Sequence, residues 1–173
     1  MPWKLHRFVI LVAFGLAAVL LPLSTQAQTY KPLMPLLVDI PQWEAEAPEG
    51  MTMASDGQEI VWAARNYRKG DAEISVILGV GHPMASQAEA MGQGGKMQYQ
   101  AGGVVYETAT VKGFPVVRFY SKDEKTGFLL VALNSGALPA SLIVQFSELD
   151  SAEGFAIAER FDWSKMQKAV ARK

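Results

Sequence analysis

Between Gln58 and Arg68 the side chains alternate, with Ile60, Trp62 and Ala64 on one side and Val61, Ala63, Arg65 and Tyr67 on the other. Lys69-Gly70-Asp71 supplies a turn, after which Ile74, Val76, Leu78 and Val80 recur at every second position. Successive side chains of an extended backbone point to opposite faces, so a period of two predicts a β-hairpin. Four more strands are predicted over 104–111, 115–120, 128–133 and 141–146, separated by Lys112-Gly113, a polar loop beginning at Lys122 and Asn134-Ser135-Gly136. The run Phe128-Leu129-Leu130-Val131-Ala132-Leu133 has no polar position. It predicts a central strand covered on both faces, and hence helices on both sides of the sheet.

Three segments read as helices. Ser86-Gln87-Ala88-Glu89 fits a capping box, in which hydroxyl and carboxylate satisfy the first free backbone N–H groups, and it predicts a helix to about Met97. Gly92, Gly94 and Gly95 weaken its second half, each by about 1 kcal/mol relative to alanine. Asp150 or Ser151 can start a second helix running to about Arg160. Asp162 can cap a third that presents Trp163, Met166 and Val170 at spacings of three and four. The expected fold is α+β: a single antiparallel sheet of about six strands with helices on both faces.

Two upstream segments are organised differently. Residues 28–57 carry Pro32, Pro35, Pro41 and Pro48, which exclude helix interiors, yet Leu33, Leu37, Ile40 and Trp43 make them too apolar for a free tail. They are expected to be an extended lead-in packed on the core, ahead of a single α+β domain over 58–173. Residues 1–27 place Lys4, His6 and Arg7 before the uncharged run Phe8–Leu23, followed by Ser24-Thr25-Gln26-Ala27. That is the layout of a secretory signal peptide cleaved after about Ala27. The apolar run has 16 residues, against roughly 20 for a bilayer span. No later run is long enough either, so the expected product has no membrane span and is periplasmic in a Gram-negative cell.

Charge and composition then narrow the chemistry. The 173-residue chain carries 16 Lys and Arg against 17 Asp and Glu, and over 28–173 the net charge is −3, leaving no basic footprint for nucleic acid. Cys is absent, which removes disulfides, thiolate metal sites and thiol nucleophiles. His82 is the one His beyond residue 27, and no Ser stands in a G-x-S-x-G context for a hydrolase triad. Gly92-Gln93-Gly94-Gly95-Lys96-Met97 fails the phosphate-loop pattern at Ala90 and at Met97. Asp71/Glu73 and Asp123/Glu124 sit beside turns, where carboxylates stay solvated. No catalytic residue and no cofactor is assigned. One metal option stays open: His82, Met84, Met91 and Met97 fall within sixteen positions and suit Cu(I). The surface singled out for a partner is Tyr67 flanked by Arg65 and Arg68, an aromatic between cations near a hairpin tip.

Ile40-Pro41-Gln42-Trp43 with Pro48-Glu49-Gly50, Arg65-Asn66-Tyr67-Arg68-Lys69-Gly70, Val111-Lys112-Gly113-Phe114-Pro115 and Phe161-Asp162-Trp163 together resemble the PsbP-like superfamily. More closely, they resemble a group of small exported bacterial proteins of unknown function within it. The resemblance implies an antiparallel sheet between helical layers, and a role as an extrinsic subunit or protein-binding module. The functional expectation is an exported, periplasmic, non-enzymatic binding or accessory module whose partner is an envelope protein or a small ligand. The alternatives are a small envelope enzyme using His82 or a carboxylate, and a Met/His copper-handling protein.

Overall fold

The computed structural model describes residues 29–171, apart from 56–57, 82–85, 87–89, 91–96 and 134–137. The expected signal peptide, the glycine-rich stretch 92–95 and the Asn134-Ser135-Gly136 turn therefore lie outside the described residues. Among the described residues nine strands form one antiparallel sheet: β1 Glu44–Ala45, β2 Glu49–Ser55, β3 Gln58–Lys69, β4 Ala72–Val80, β5 Gln98–Ala101, β6 Val104–Val111, β7 Phe114–Ser121, β8 Thr126–Ala132 and β9 Ala140–Ser147. β1 and β2 both pair along the outer edge of β3, and the order continues β3-β4-β9-β8-β7-β6-β5. β9, the last strand in sequence, thus sits between the β3–β4 hairpin and the β5–β8 meander. Two-residue loops at Gly102-Gly103 and Lys112-Gly113, with φ of 54°, 76°, 52° and 85°, turn the meander in the left-handed conformation that suits a twisted hairpin.

Two eight-residue helices follow the sheet: α1 Ser151–Ala158 and α2 Trp163–Val170. Both pack on the same face, where Ile157, Ala158, Trp163, Met166 and Val170 join Val76, Leu78, Leu129, Val131, Leu142 and Val144 in the main core. A short 3-10 turn at Met34–Leu36 lies on that face too, seating Leu33, Leu37 and Ile40 in the same core. Gly154 permits the close approach of α1. A Cβ there would stand 2.5 to 2.6 Å from three carbons of the Phe146 ring. Asp162 caps α2 as expected, its Oδ1 accepting from the Lys165 N–H at 2.8 Å, whereas the Asp150 side chain makes no cap hydrogen bond.

This corrects the α+β expectation of about six strands with helices on both faces, and with it the sandwich implied by the PsbP-like resemblance. The protein is predominantly β, with nine strands and two short helices among the described residues, and the helices share one face. The extra strands come from two places. Lead-in residues 44–45 and 49–55 pair with β3. Gln98–Ala101 forms an edge strand with every residue exposed. The apolar β8 run divides as a strand must: Leu129 and Val131 enter the helix-covered core, while Leu130 and Ala132 join Val117 and Ile143 in a smaller cluster on the opposite face. Ser86 and Ala90 have helical backbone; Met97 does not, and the rest of the expected 86–97 helix lies outside the described residues.

Candidate functional site

Period two assigns the expected Arg65, Tyr67 and Arg68 group to different faces. Arg65 and Tyr67 share the helix-covered face with Val76 and Val144, whereas Arg68 lies on the other face, across from Glu73. Arg65 is a clamp on the lead-in. Its Nε donates to Glu46 O at 2.7 Å, Nη1 to Leu37 O at 2.7 Å, and Nη2 to Asp39 Oδ1 at 2.6 Å. Tyr67 is fully buried beneath the Arg65 guanidinium, and its hydroxyl donates to Val38 O at 2.8 Å. The geometry gives these two side chains the work of holding residues 37–46 against the sheet.

Burial pushes the Tyr67 phenol up to about 12, with the Arg65 charge acting in the opposite direction. Burial, with the Asp150 carboxylate adding to it, also raises the phenol of Tyr120, which donates to Leu149 O at 3.2 Å. A raised folded-state value leaves stability intact below the ordinary phenol pKa and removes it as pH rises toward the folded value. The window for Tyr67 is therefore pH 10 to 12. Across it, urea unfolding is expected to lose roughly 2 to 3 kcal/mol, the free-energy equivalent of a two-unit shift. Tyr67→Phe removes that decline while starting from a lower stability at pH 8. An undiminished decline in the variant would assign the alkaline sensitivity elsewhere.

The opposite sheet face carries neither described helix. There the ladder registers align Asn66, Ser75 and Gln145 from β3, β4 and β9 with Phe128, Phe119 and Tyr106 from β8, β7 and β6, and the row ends at Tyr99 on edge strand β5. Seven strands at about 4.8 Å spacing make this row about 29 Å long. Beside its polar end, Arg68 Nε and Glu73 Oε1 form a surface ion pair at 3.0 Å. An open groove of about 310 Å³ lies here, lined by Asn66, Arg68, Glu73, Ser75, Gln145 and Ser147 among others. Asn66 Nδ2 donates to Glu46 Oε2 at 3.1 Å. Among the described residues no side-chain hydrogen bond engages Ser75, Gln145 or Ser147. Phe119 and Phe128 stack with centroids 5.4 Å apart, both partly exposed, and Tyr99 is 60% exposed. The next row, Ile143, Leu130, Val117 and Thr108, is buried, so the aromatic and amide side chains form a shelf at the border of a covered apolar zone.

The shelf escapes sequence reasoning because its members come from seven strands. Alternation shows which residues of one strand share a face, but not which strands are neighbours. Of the expected copper ligands, His82, Met84 and Met91 lie outside the described residues, and Met97 is 51% exposed just before β5. Among the described residues no three or more His, Cys, Asp or Glu side chains are grouped to hold a metal ion. No helix among them is long and apolar enough to cross a membrane. Comparison with known proteins finds no matching family model, no matching curated protein and no matching solved structure.

Proposed function

We propose that the protein is an exported, periplasmic, non-enzymatic binding module whose contact surface is the amide and aromatic shelf on the sheet face opposite the two helices. One observation carries this reading. Leu33, Leu37 and Ile40 of the lead-in and both described helices are packed on one face, while the other presents a continuous row of amides, hydroxyls and partly exposed rings in which Ser75 and Gln145 keep their hydrogen-bonding capacity. Exposed aromatics beside polar groups with free hydrogen-bonding capacity are the usual makings of a recognition surface. Export rests on the charged, apolar and small-residue order of residues 1–27.

The triple variant Ser75→Ala/Gln145→Ala/Tyr99→Ala tests the reading. Its three sites are surface or partly exposed positions, so stability is expected to stay within about 1 kcal/mol of the parent. Cross-linking in intact cells is expected to give an adduct with the parent chain and to lose it with the variant. An adduct formed equally well by the variant would place the contact surface elsewhere.

A further inference from the structure

Resting on that reading, we infer that the shelf takes a neutral saccharide chain lying across the strands. The chemistry of the surface selects this ligand class, first by what it disfavours. From β3 to β6 the row lies on a sheet face, where backbone N–H and C=O groups are spent in the ladders on both sides, and it ends on β5, an edge strand among the described residues. An extended peptide added to this row as a strand can pair only along β5, beside Tyr99, and leaves the amide end on β3, β4 and β9 untouched, because strand addition needs a free edge. Among the described residues the cation beside the shelf, Arg68, is matched by Glu73 at 3.0 Å, so a phosphate or carboxylate gains no uncompensated positive charge. For the same reason a nucleic-acid strand, which needs a cationic groove beside its stacking rings, is disfavoured.

What remains is a surface of amide and hydroxyl groups beside flat rings. Gln145 offers donors and an acceptor in one plane, Asn66 keeps its carbonyl acceptor and a second N–H beside its bond to Glu46, and Ser75 adds a hydroxyl between them in the register. A pyranose has the matching duality, with hydroxyls at its edge and apolar C–H groups on its faces. Its edge can bond to the amide end, while its C–H faces pack on Tyr99 and on the exposed parts of Tyr106 and of the stacked Phe119 and Phe128 rings. The groove volume of about 310 Å³ is at the small end of ligand sites and suits one or two sugar rings at the amide end. The aromatic continuation, stepping about 4.8 Å per strand, accommodates further units along the chain. The ligand class is thus a linear, uncharged oligosaccharide of at least three or four units.

Backbone amide NMR of the chain beginning at Gln28 provides the test, with two probes: the β-1,4-linked hexamer of N-acetylglucosamine and the β-1,4-linked hexamer of glucose. Shifts at Asn66, Ser75, Gln145, Phe128 and Tyr99 with either hexamer are expected, saturating in the micromolar to millimolar range. A preference for the acetylated hexamer identifies the acetamido groups as partners of Asn66 and Gln145; equal binding assigns recognition to the ring hydroxyls and faces. Tyr99→Ala and Gln145→Ala are each expected to weaken binding at least fivefold without altering the spectrum away from the shelf. Shelf shifts caused by a mixed tetrapeptide pool, with none from either hexamer, overturn the saccharide assignment and leave the shelf as a binding surface. Silence of the shelf toward hexamers and peptides alike counts against both.

Discussion

Trp163→Ala is expected to lower the unfolding free energy by about 3 to 5 kcal/mol, the range for deleting a large buried aromatic from a packed core. Trp163 is 2% exposed and does three things at the start of α2. Its Nε1 donates to Ala158 O at 3.0 Å, which satisfies a carbonyl at the end of α1. Its ring meets Phe114 edge to face at 5.9 Å, tying the closing helix to the start of β7. Lys112 Nζ stands 5.1 Å above the same ring and also donates to Glu159 O. Truncation leaves a cavity, a buried acceptor without its donor, and no ring for Phe114 or Lys112. Urea unfolding at pH 8 measures the sum. Trp163→Phe restores most of the packing without the indole N–H, and its cost is expected to be about 1 to 2 kcal/mol, close to that of an unsatisfied carbonyl. A loss below about 1 kcal/mol in Trp163→Ala would mean that α2 contributes little to the fold.

Arg65→Ala is expected to cost about 2 to 4 kcal/mol, because it removes a charge-assisted fork and strips two backbone acceptors of their partner. The Arg65 side chain is only 15% exposed, whereas Asp39 at the far end of the ion pair is 84% exposed. The stabilisation therefore resides in the two carbonyl contacts, at Leu37 and Glu46, more than in the ion pair. Arg65→Lys keeps the charge but cannot reach both carbonyls in the planar fork, so it should recover less than half of the loss. Limited proteolysis provides an independent readout, with cleavage within residues 29–46 expected to accelerate in Arg65→Ala. Arg68→Ala serves as the contrast. Its side chain is 62% exposed and paired at the surface, so stability should change by less than about 0.5 kcal/mol. Equal effects of the two arginine variants would contradict the division of labour between the faces.

Both residues belong to elements that local sequence makes legible. The β3–β4 hairpin can be read because its alternation is strict and its turn carries Gly70. The closing helix can be read from Asp162 and the spacing of Trp163, Met166 and Val170, each of which the structure buries. Edge strands cannot, because burial writes the pattern and edges bury little. β5 is Gln98-Tyr99-Gln100-Ala101 with all four residues exposed, and β2 holds Met51 and Met53 at 40% and 46% exposure. β8 misleads in another way. An apolar run shows that both faces of a strand are buried, whereas among the described residues the two helices lie on one of them only.

The candidate site divides along the same line. Arg65, Tyr67 and Arg68 are close in sequence, yet the parity of their positions along β3 already separates Arg68 from the other two. The amide and aromatic row leaves no such local trace. It exists only because β9 inserts between β4 and β8 and so brings Gln145 between Ser75 and Phe128. That insertion is a long-range pairing, specified by the fit of whole strands rather than by any local motif.

Hydroxyl-radical footprinting of the chain in intact cells and after purification shows whether the amide and aromatic shelf is the surface this protein uses. Labelling of Tyr99, Tyr106 and Phe128 is expected to fall several-fold in the cell, while Trp43 and Phe155, packed against the core on the helix-covered side, label equally in both. Equal labelling of the shelf in both settings, with protection appearing instead over α1, α2 or the lead-in, would contradict this use of the shelf.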